Sequence, residues 1–275
     1  PGSAEVEALK AGNDMVEMVR DIRRAVTAIE RAVVNGQITL EEINSRCTRV
    51  LAMKRKLGLH HYHPAAPDSL TLKMTDPSAE LLRRQLVENS LTVLKNDDQL
   101  LPITGLEKLK IATLAIGGDS LSPFQKTVEL YTDADHYYIS KEAPITVVDE
   151  VMSNLMGYNL VIAGVQEISK YPSRNYRTSV TQTDAVMKLT RNHRSAVLFF
   201  GNAYALRFFP GIEKASALVL AYEEGETPQE MAVQMLFGAT GAAGRMPVTA
   251  DTRFPEGGGV DVLPNNRLKY TLPEE

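Results

Sequence analysis

The sequence predicts an α/β protein: a three-layer α/β/α sandwich around a mostly parallel sheet. Short apolar runs bounded by charged or turn residues, a pattern typical of buried strands, alternate with helical segments from residue 91 to residue 250. The clearest stretch is 217–250, where an apolar run is followed by an acidic turn, a helix, a glycine turn and a short strand at 246–249. Because parallel strands need helical crossovers, this alternation favours a sheet covered by helices on both faces.

Composition limits the class of protein. The chain has 275 residues, of which 44% are hydrophobic, and its net charge is −4. This length allows one large domain or two smaller ones. A slightly acidic chain without a strongly basic stretch argues against a nucleic-acid partner, and the absence of a run of about 18 apolar residues argues against a membrane span. The single cysteine, Cys47, excludes an intrachain disulfide. Its place on the apolar face of a helix predicts a small core residue.

The first 58 residues are predicted to be mostly helical, with one short strand at 14–18. Apolar residues recur at helical spacing over 19–33 and again over 43–57. Thr39 and Glu42 have the spacing of a capping box at the start of the second of these helices. Because one strand cannot make a sheet, we expect this segment to dock onto something else.

Residues 59–76 contain prolines and no hydrophobic periodicity, which predicts a linker. His60, His61 and His63 have a spacing that can chelate a metal ion, but no Cys, Asp or Glu stands close by to complete a site. We therefore favour a surface linker over metal binding.

The second domain is predicted at 77–265, and its first helix begins at Asp76 and Pro77. A second capping box is predicted from Thr227 to Glu230. The pair Gly117-Gly118 follows a strand and could cradle a phosphate, but the full motif is absent and a tight turn is favoured. The polar stretch 266–275 is predicted to be a linker or tail. The predicted strands of this domain lie at 91–95, 110–116, 136–139, 159–164, 195–200 and 217–222, and predicted helices cover 145–156 and 184–190.

The candidate site residues follow predicted strands. The chain has no GxSxG elbow and no HExxH helix, so no catalytic residue is assigned. The loop 167–177 follows a buried strand at the edge where open α/β sheets bind ligands. In this loop Tyr171, Arg174 and Asn175 are suited to stacking on a sugar or hydrogen-bonding it, and Glu224 in the acidic turn is a weaker candidate. Two adjacent carboxylates in that turn could serve glycosidase chemistry, although a solvated turn is favoured. A surface loop without function is an equal alternative at 167–177.

Several stretches of the sequence resemble glycoside hydrolase family 3. LVLAYEEGETPQEMAVQMLFG followed by GRMPVT resembles the family's C-terminal sandwich domain, and VENSLTVLKNDDQLLPI resembles the start of that domain. ALKAGNDMVEM and AIERAVVNGQITLEEINSRCTRVLAMKRKLGL look like the last strand and helices of the family's N-terminal (β/α) barrel. The resemblance therefore implies that residues 1–58 are a helical remnant of a (β/α) barrel and precede the sandwich.

The resemblance also implies an activity for the parent protein: an exo-acting glycosidase of the β-N-acetylglucosaminidase type. In the family the nucleophilic Asp lies on a barrel loop shortly upstream of the stretch that residues 1–58 resemble, and in the β-N-acetylhexosaminidase branch a His–Asp pair on an earlier barrel loop is the general acid/base. Neither motif is present in this sequence. In the β-glucosidase branch a Gly-Glu-x-Pro-Tyr loop supplies the acid/base group. Here Gly164 is followed by Val165-Gln166-Glu167, and Tyr171-Pro172 comes later, which disfavours that role for Glu167.

The expected partners are the catalytic barrel of the same parent chain and a carbohydrate substrate. In some relatives a β-lactamase-like domain follows. No cofactor and no metal are expected, and the resemblance implies a periplasmic or secreted bacterial protein. Two alternatives stay open: a β-glucosidase-type enzyme of the same family, and a non-catalytic carbohydrate-binding or interaction module.

Overall fold

The computed structural model describes residues 2–64 and 67–271. The chain forms two compact units that divide between Met74 and Thr75. Neither unit has a helix, within the described ranges, that is both long enough and apolar enough to cross a bilayer.

The first unit is helical. Its helices are α1 (Ser3–Lys10), α2 (Ile22–Val34), α3 (Leu40–Lys56) and α4 (Leu70–Met74). The capping box predicted at α3 is confirmed, because Thr39 Oγ1 accepts a hydrogen bond from Glu42 N and the Glu42 carboxylate accepts one from Thr39 N. A small core gathers Val6, Leu9, Ala32 and Ile38.

Three details of the first unit differ from the prediction. Residues 14–18 form no strand, and Asp14 instead accepts hydrogen bonds from the Arg49 guanidinium. Cys47 is exposed rather than part of a core. The helix α2 turns Ala25 and Ala32 inward and leaves Ile22 70% exposed, because only one stripe of the helix meets the small core.

The segment predicted as a linker contains short helical turns. One 3-10 turn covers Leu59–His61, a second covers Pro67–Ser69, and α4 follows directly. His60 and His61 are exposed, with ring centroids 4.4 Å apart. Across the described ranges, no group of three or more His, Cys, Asp or Glu side chains is arranged to hold a metal ion. The predicted domain limits themselves stay a prediction.

The second unit is a six-stranded sheet between two layers of helices, which confirms the predicted fold class. The strand order is β1-β6-β5-β4-β2-β3, and every neighbouring pair is parallel except β1 with β6. In chain order the elements are α5 (Pro77–Ser90), β1 (Thr92–Asn96), β2 (Ile111–Gly117), α6 (Pro123–Glu129), β3 (Asp135–Ser140), α7 (Ile145–Asn154), β4 (Leu160–Val165), α8 (Val180–Asn192), β5 (Ser195–Phe199), β6 (Ala217–Leu220) and α9 (Glu226–Leu236).

Alternation along the strands creates two hydrophobic cores, one on each face of the sheet. On β4, Val161 and Ala163 enter one core, whereas Leu160 and Ile162 enter the other. Helices α7 and α8 cover the first face, while α6 and α9 cover the second and α5 packs on α9. Strands buried on both faces explain the nearly continuous apolar runs in the sequence.

The predicted cap at Thr227 is wrong. Helix α9 begins at Glu226, Gly225 is its N-cap residue, and no side chain caps it. The Thr227 hydroxyl accepts a hydrogen bond from the Arg83 guanidinium instead. Glu230 forms an ion pair with buried Arg84, with 2.8 Å between Nη1 and Oε2. The local sequence pattern was overridden because both side chains found long-range partners on α5.

The C-terminal part of the second unit has irregular secondary structure, but hydrogen bonds attach it to the rest of the unit. The strand predicted at 246–249 is absent; Met246 N instead donates to Gly258 O at 2.8 Å. The stretch predicted as a polar linker is attached to the unit as far as Tyr270, and its last residues, 272–275, lie outside the described ranges. The side-chain amide of Gln234 exchanges two hydrogen bonds with the backbone of Tyr270, at 2.9 and 3.1 Å.

Candidate functional site

The candidate site lies at the carboxyl edge of the parallel strands. Since β4, β5 and β6 run parallel, the loop 167–177 after β4 and the turn 223–226 after β6 emerge on the same edge. This is where open α/β sheets bind their ligands. The sequence placed the loop at this edge, and the parallel pairing of β4 with β5 and of β5 with β6 brings the turn to it as well.

A hydrogen bond joins the loop and the turn directly. The backbone N–H of Glu167 donates to Glu224 Oε2 at 2.7 Å. The ammonium group of Lys141, which follows β3, donates to the backbone carbonyl of Glu167 and lies 4.0 Å from Glu167 Oε2. Three loops of the sheet edge therefore meet at one cluster of two carboxylates and one ammonium group.

The carboxyl group of Glu224 has a perturbed acidity. Burial raises the pKa of Glu224 above its ordinary range, and the negative charge of Glu167 adds to this rise. The hydrogen bond from Glu167 N and the charge of Lys141 lower the pKa in part. A half-buried carboxyl that holds its proton more firmly beside a second carboxyl is suited to donating a hydrogen bond or a proton.

Three buried glutamines form a chain of hydrogen bonds that ends at the backbone of Glu224 in this cluster. Gln229 Nε2 donates to the backbone carbonyl of Glu224 at 2.7 Å, and Gln166 Nε2 donates to Gln229 Oε1 at 3.0 Å. Gln182 Nε2 in turn donates to Gln166 O at 2.6 Å. Sequence reasoning missed these residues, because a glutamine carries no strong structural preference. The one available signal was the capping box of Ser179 with Gln182.

The Gly117-Gly118 turn is part of the same packing. A Cβ atom on Gly117 would stand 2.6 Å from Gln166 O, and one on Gly118 would stand 2.6 Å from Gln166 Oε1. Gly117 is needed because the backbone of the loop after β4 lies against it and its φ is positive, whereas at Gly118 a side chain would have to displace the Gln166 amide. The space beside the pair is filled by Gln166, which favours the tight turn over an open phosphate cradle.

The loop 167–177 contains a left-handed turn. Arg174, Asn175, Tyr176 and Arg177 have φ values of 53°, 53°, 60° and 55°. Such a conformation costs about 1–2 kcal/mol per residue for residues other than glycine. Buried Tyr176 anchors the turn: its ring centroid is 6.2 Å from that of Phe208, and its carbonyl accepts from Ser169 N at 2.8 Å.

Strained backbone concentrates at this edge. The described residues include ten non-glycine positions with positive φ, and six of them lie at 167, 174–177 and 222. Strain of this kind persists only where the surroundings enforce it, and it clusters at functional sites. The edge is therefore the strongest candidate for a site in the second unit.

The predicted site residues are partly brought together. Tyr171 is 62% exposed, with Lys170 Nζ 5.2 Å from its ring centroid. The side chains of Arg174 and Asn175 are also exposed, on the left-handed turn. Glu224 is tied to Glu167, which begins the same loop, and so the loop and the turn form one surface. This edge of the sheet offers carboxylates, an ammonium group and, along the loop, exposed planar side chains, which suit the hydroxyl groups of a sugar.

Comparison with known proteins places the fold among glycoside hydrolases of family 3. No family model matches the chain. A β-N-acetylglucosaminidase/β-glucosidase of Cellulomonas fimi is 26% identical over 130 residues, which are 46% of this chain and 23% of that enzyme. A β-xylosidase of Formosa agariphila is 29% identical over 147 residues, which are 50% of this chain and 20% of that enzyme. The chain thus spans about a quarter or less of the curated relatives that it matches.

Solved structures show the same similarity in three dimensions. A family 3 β-N-acetylglucosaminidase from Paenibacillus has a TM-score of 0.56 and 18% identity, and the match covers 86% of this chain and 45% of that one. A β-glucosidase from Listeria innocua, solved with glucose, has a TM-score of 0.60 and 16% identity, and the match covers 89% of this chain and 36% of that one. The resemblance to the C-terminal portion of family 3 enzymes is confirmed.

Proposed function

We propose that this chain is the C-terminal portion of a family 3 glycosidase of the β-N-acetylglucosaminidase type. In this proposal the sandwich packs on the catalytic barrel of the parent protein, and its carboxyl edge borders the sugar site. The nucleophile belongs to the barrel. The proposal includes a periplasmic or secreted location for the parent protein. It also allows for a β-lactamase-like domain after this chain, as in some relatives.

One observation carries the proposal: the strained edge loop is hydrogen-bonded to half-buried Glu224 at 2.7 Å. A loop that served only to connect β4 with α8 would have no need of a left-handed turn. The turn presents Arg174 and Asn175 outward, beside exposed Tyr171. These side chains supply the donors and the flat apolar surface that a pyranose ring needs.

The test uses steady-state kinetics of the parent protein on a nitrophenyl N-acetylglucosaminide. Arg174→Ala should lower kcat/KM about tenfold or more, because one hydrogen bond from a charged group contributes roughly 1.5–3 kcal/mol. Tyr171→Ala should act in the same direction. Arg191→Ala is the matched control, because Arg191 is exposed near the carboxyl end of α8, which leads to the opposite edge of the sheet. Wild-type kinetics in both loop variants would refute the role of this edge.

A second candidate, a β-glucosidase-type enzyme, is favoured by one observation. Glu167 follows β4 and stands beside Lys141 at the edge, where a loop of that branch supplies the acid/base group. If Glu167 acts as the acid/base, Glu167→Gln in the parent protein should lower kcat about 10²–10⁴-fold. A change below about threefold, under the same assay conditions, would favour the N-acetylglucosaminidase type.

A further inference from the structure

A cleft of about 560 Å³ opens beside the turn that follows β6. One wall is α5, with Arg83 and Leu86, and the other is the segment from Gly244 to Pro247. Tyr222 lies between them. The volume is within the usual range for small-molecule sites, and an apolar lining with a few polar groups is typical of them.

Tyr222 is held in this cleft by strained backbone. Its φ is 64°, and the N–H of Glu223 donates to Ala221 O at 2.7 Å across a three-residue turn. Positive φ is a rare conformation for a bulky residue. The phenol oxygen is fixed by a 2.7 Å hydrogen bond with Thr92 Oγ1. The ring is thus half-buried and immobilised at both ends.

The other wall approaches closely at a glycine. A Cβ atom on Gly244 would stand 2.4 Å from Leu91 O and 2.7 Å from Thr92 Oγ1. Only glycine therefore allows this wall to lie against the start of β1, next to the hydroxyl that holds Tyr222. The cleft is a built feature of the fold, because a side chain at position 244 would force its walls apart.

The charges of the cleft favour a neutral ligand. The Arg83 guanidinium pairs with Glu80 at 2.8 Å, and that of Arg245 pairs with Asp261 at 2.6 Å. Each cation is already compensated, and Glu223 adds a further acidic group at the rim. An anionic ligand would meet no uncompensated positive charge among these groups. A neutral ligand can still use the guanidinium N–H donors, the Glu223 carboxylate and the aromatic face of Tyr222.

We propose that this cleft binds a neutral carbohydrate, with one pyranose ring against the face of Tyr222. A pyranose has an apolar face of C–H groups and a rim of hydroxyls, so it can use the ring and the polar rim together. Arg83 and Arg245 donate to the hydroxyl groups, and Glu223 accepts from them. The proposal rests on the proposed function in taking a carbohydrate as the ligand.

Isothermal titration of the 275-residue chain with N,N′-diacetylchitobiose and with cellobiose tests this proposal. At least one disaccharide should bind, and Tyr222→Phe should bind within threefold of the wild type because the ring is kept. Tyr222→Gly should bind at least tenfold more weakly. Glycine is the informative replacement because it accepts a φ of 64° without strain. Loss of the half-buried ring should still lower the Tm, and circular dichroism at the titration temperature shows whether the variant is folded.

Two results would overturn the proposal. One is that the wild-type chain binds neither disaccharide. The other is that folded Tyr222→Gly binds as tightly as the wild type, which would place the sugar elsewhere on the chain. Neither result touches the proposed function, which depends on the kinetics of the Arg174 and Tyr171 variants in the parent protein.

Discussion

Replacement of Gln229 by alanine tests the glutamine network beneath the candidate site. Gln229 is 4% exposed, and its amide takes part in three hydrogen bonds. It accepts from Phe124 N at 3.3 Å and from Gln166 Nε2 at 3.0 Å, and it donates to Glu224 O at 2.7 Å. Alanine would leave Phe124 N and the Gln166 amide unpaired where water is excluded, and would leave Glu224 O without its partner in a partly buried place.

The expected cost is set by those three partners. At about 1 kcal/mol for each lost hydrogen bond, Gln229→Ala should lower the free energy of unfolding by about 3 kcal/mol. A domain of 150–250 residues loses about 2–4 °C of Tm per kcal/mol, so the midpoint should fall by about 6–12 °C. Urea unfolding of the 275-residue chain, followed by circular dichroism, measures the free energy directly.

Gln234 is the matched control. It lies on the same helix, is 1% exposed, and makes two hydrogen bonds with Tyr270 rather than with the sheet edge. Gln234→Ala should therefore cost about 2 kcal/mol but leave the Glu224 turn in place. In the parent protein kcat/KM should fall about tenfold for Gln229→Ala and stay unchanged for Gln234→Ala, since a tenfold loss corresponds to ~1.4 kcal/mol.

Two outcomes would refute this reasoning. If Gln229→Ala unfolds within about 0.5 kcal/mol of the wild type, the buried network contributes less than its geometry indicates. If the two variants lower kcat/KM equally, the effect comes from reduced stability and not from the position of Glu224.

Three further predictions concern the chain by itself. The 275-residue chain should release no nitrophenol from an aryl N-acetylglucosaminide, because in the proposed function the nucleophile belongs to the barrel, and retaining chemistry needs a nucleophile and an acid/base carboxyl about 5–5.5 Å apart across the scissile bond. Release above a buffer blank would contradict this. Amide hydrogen exchange should be faster in α2 and α3 than in β4 and β5, because the first unit has a small core, and equal protection would refute it. Burial raises the pKa of Glu224 in the folded state, so the wild type should lose stability as the pH rises above 4.5 and the carboxyl loses its proton. Glu224→Gln cannot lose that proton, so its free energy of unfolding should exceed that of the wild type by an amount that grows with pH. A variant-minus-wild-type difference in unfolding free energy that does not grow with pH would show that Glu224 titrates normally.

The sheet could be predicted because its strands are buried on both faces. An apolar run at 159–164 was predicted as a strand, and the strand is Leu160–Val165; hydrophobicity alone locates such elements. The ends of helices were harder to predict where side chains on distant elements determine which residue caps the helix. Thr227 matched a capping pattern, yet Arg83 on another helix took its hydroxyl. No local pattern contains that information.

The position of the candidate site could be predicted from the sequence, but the contacts and backbone conformations that form it could not. Parallel strands put the loop after β4 and the turn after β6 on one edge, which follows from topology. The left-handed turn at 174–177 could not be predicted, because it contains no glycine to mark positive φ. The support from Gln166 and Gln229 was equally hidden, since a buried polar side chain is recognised only through its partners.

The energy of the left-handed turn separates an inert loop from a functional one. Four residues with positive φ cost together about 4–8 kcal/mol at 1–2 kcal/mol each. Burial of the Tyr176 ring returns about 1.5–3 kcal/mol, and the loop hydrogen bonds replace bonds to water with a net gain of about 1 kcal/mol each. The backbone cost is therefore about as large as the stabilisation that the loop's own contacts return, and it is large for a fold whose total stability is about 5–15 kcal/mol. Because an ordinary connection between β4 and α8 would avoid this cost, the turn is best explained by what it presents: Arg174 and Asn175, held outward at the edge where the proposed sugar site lies.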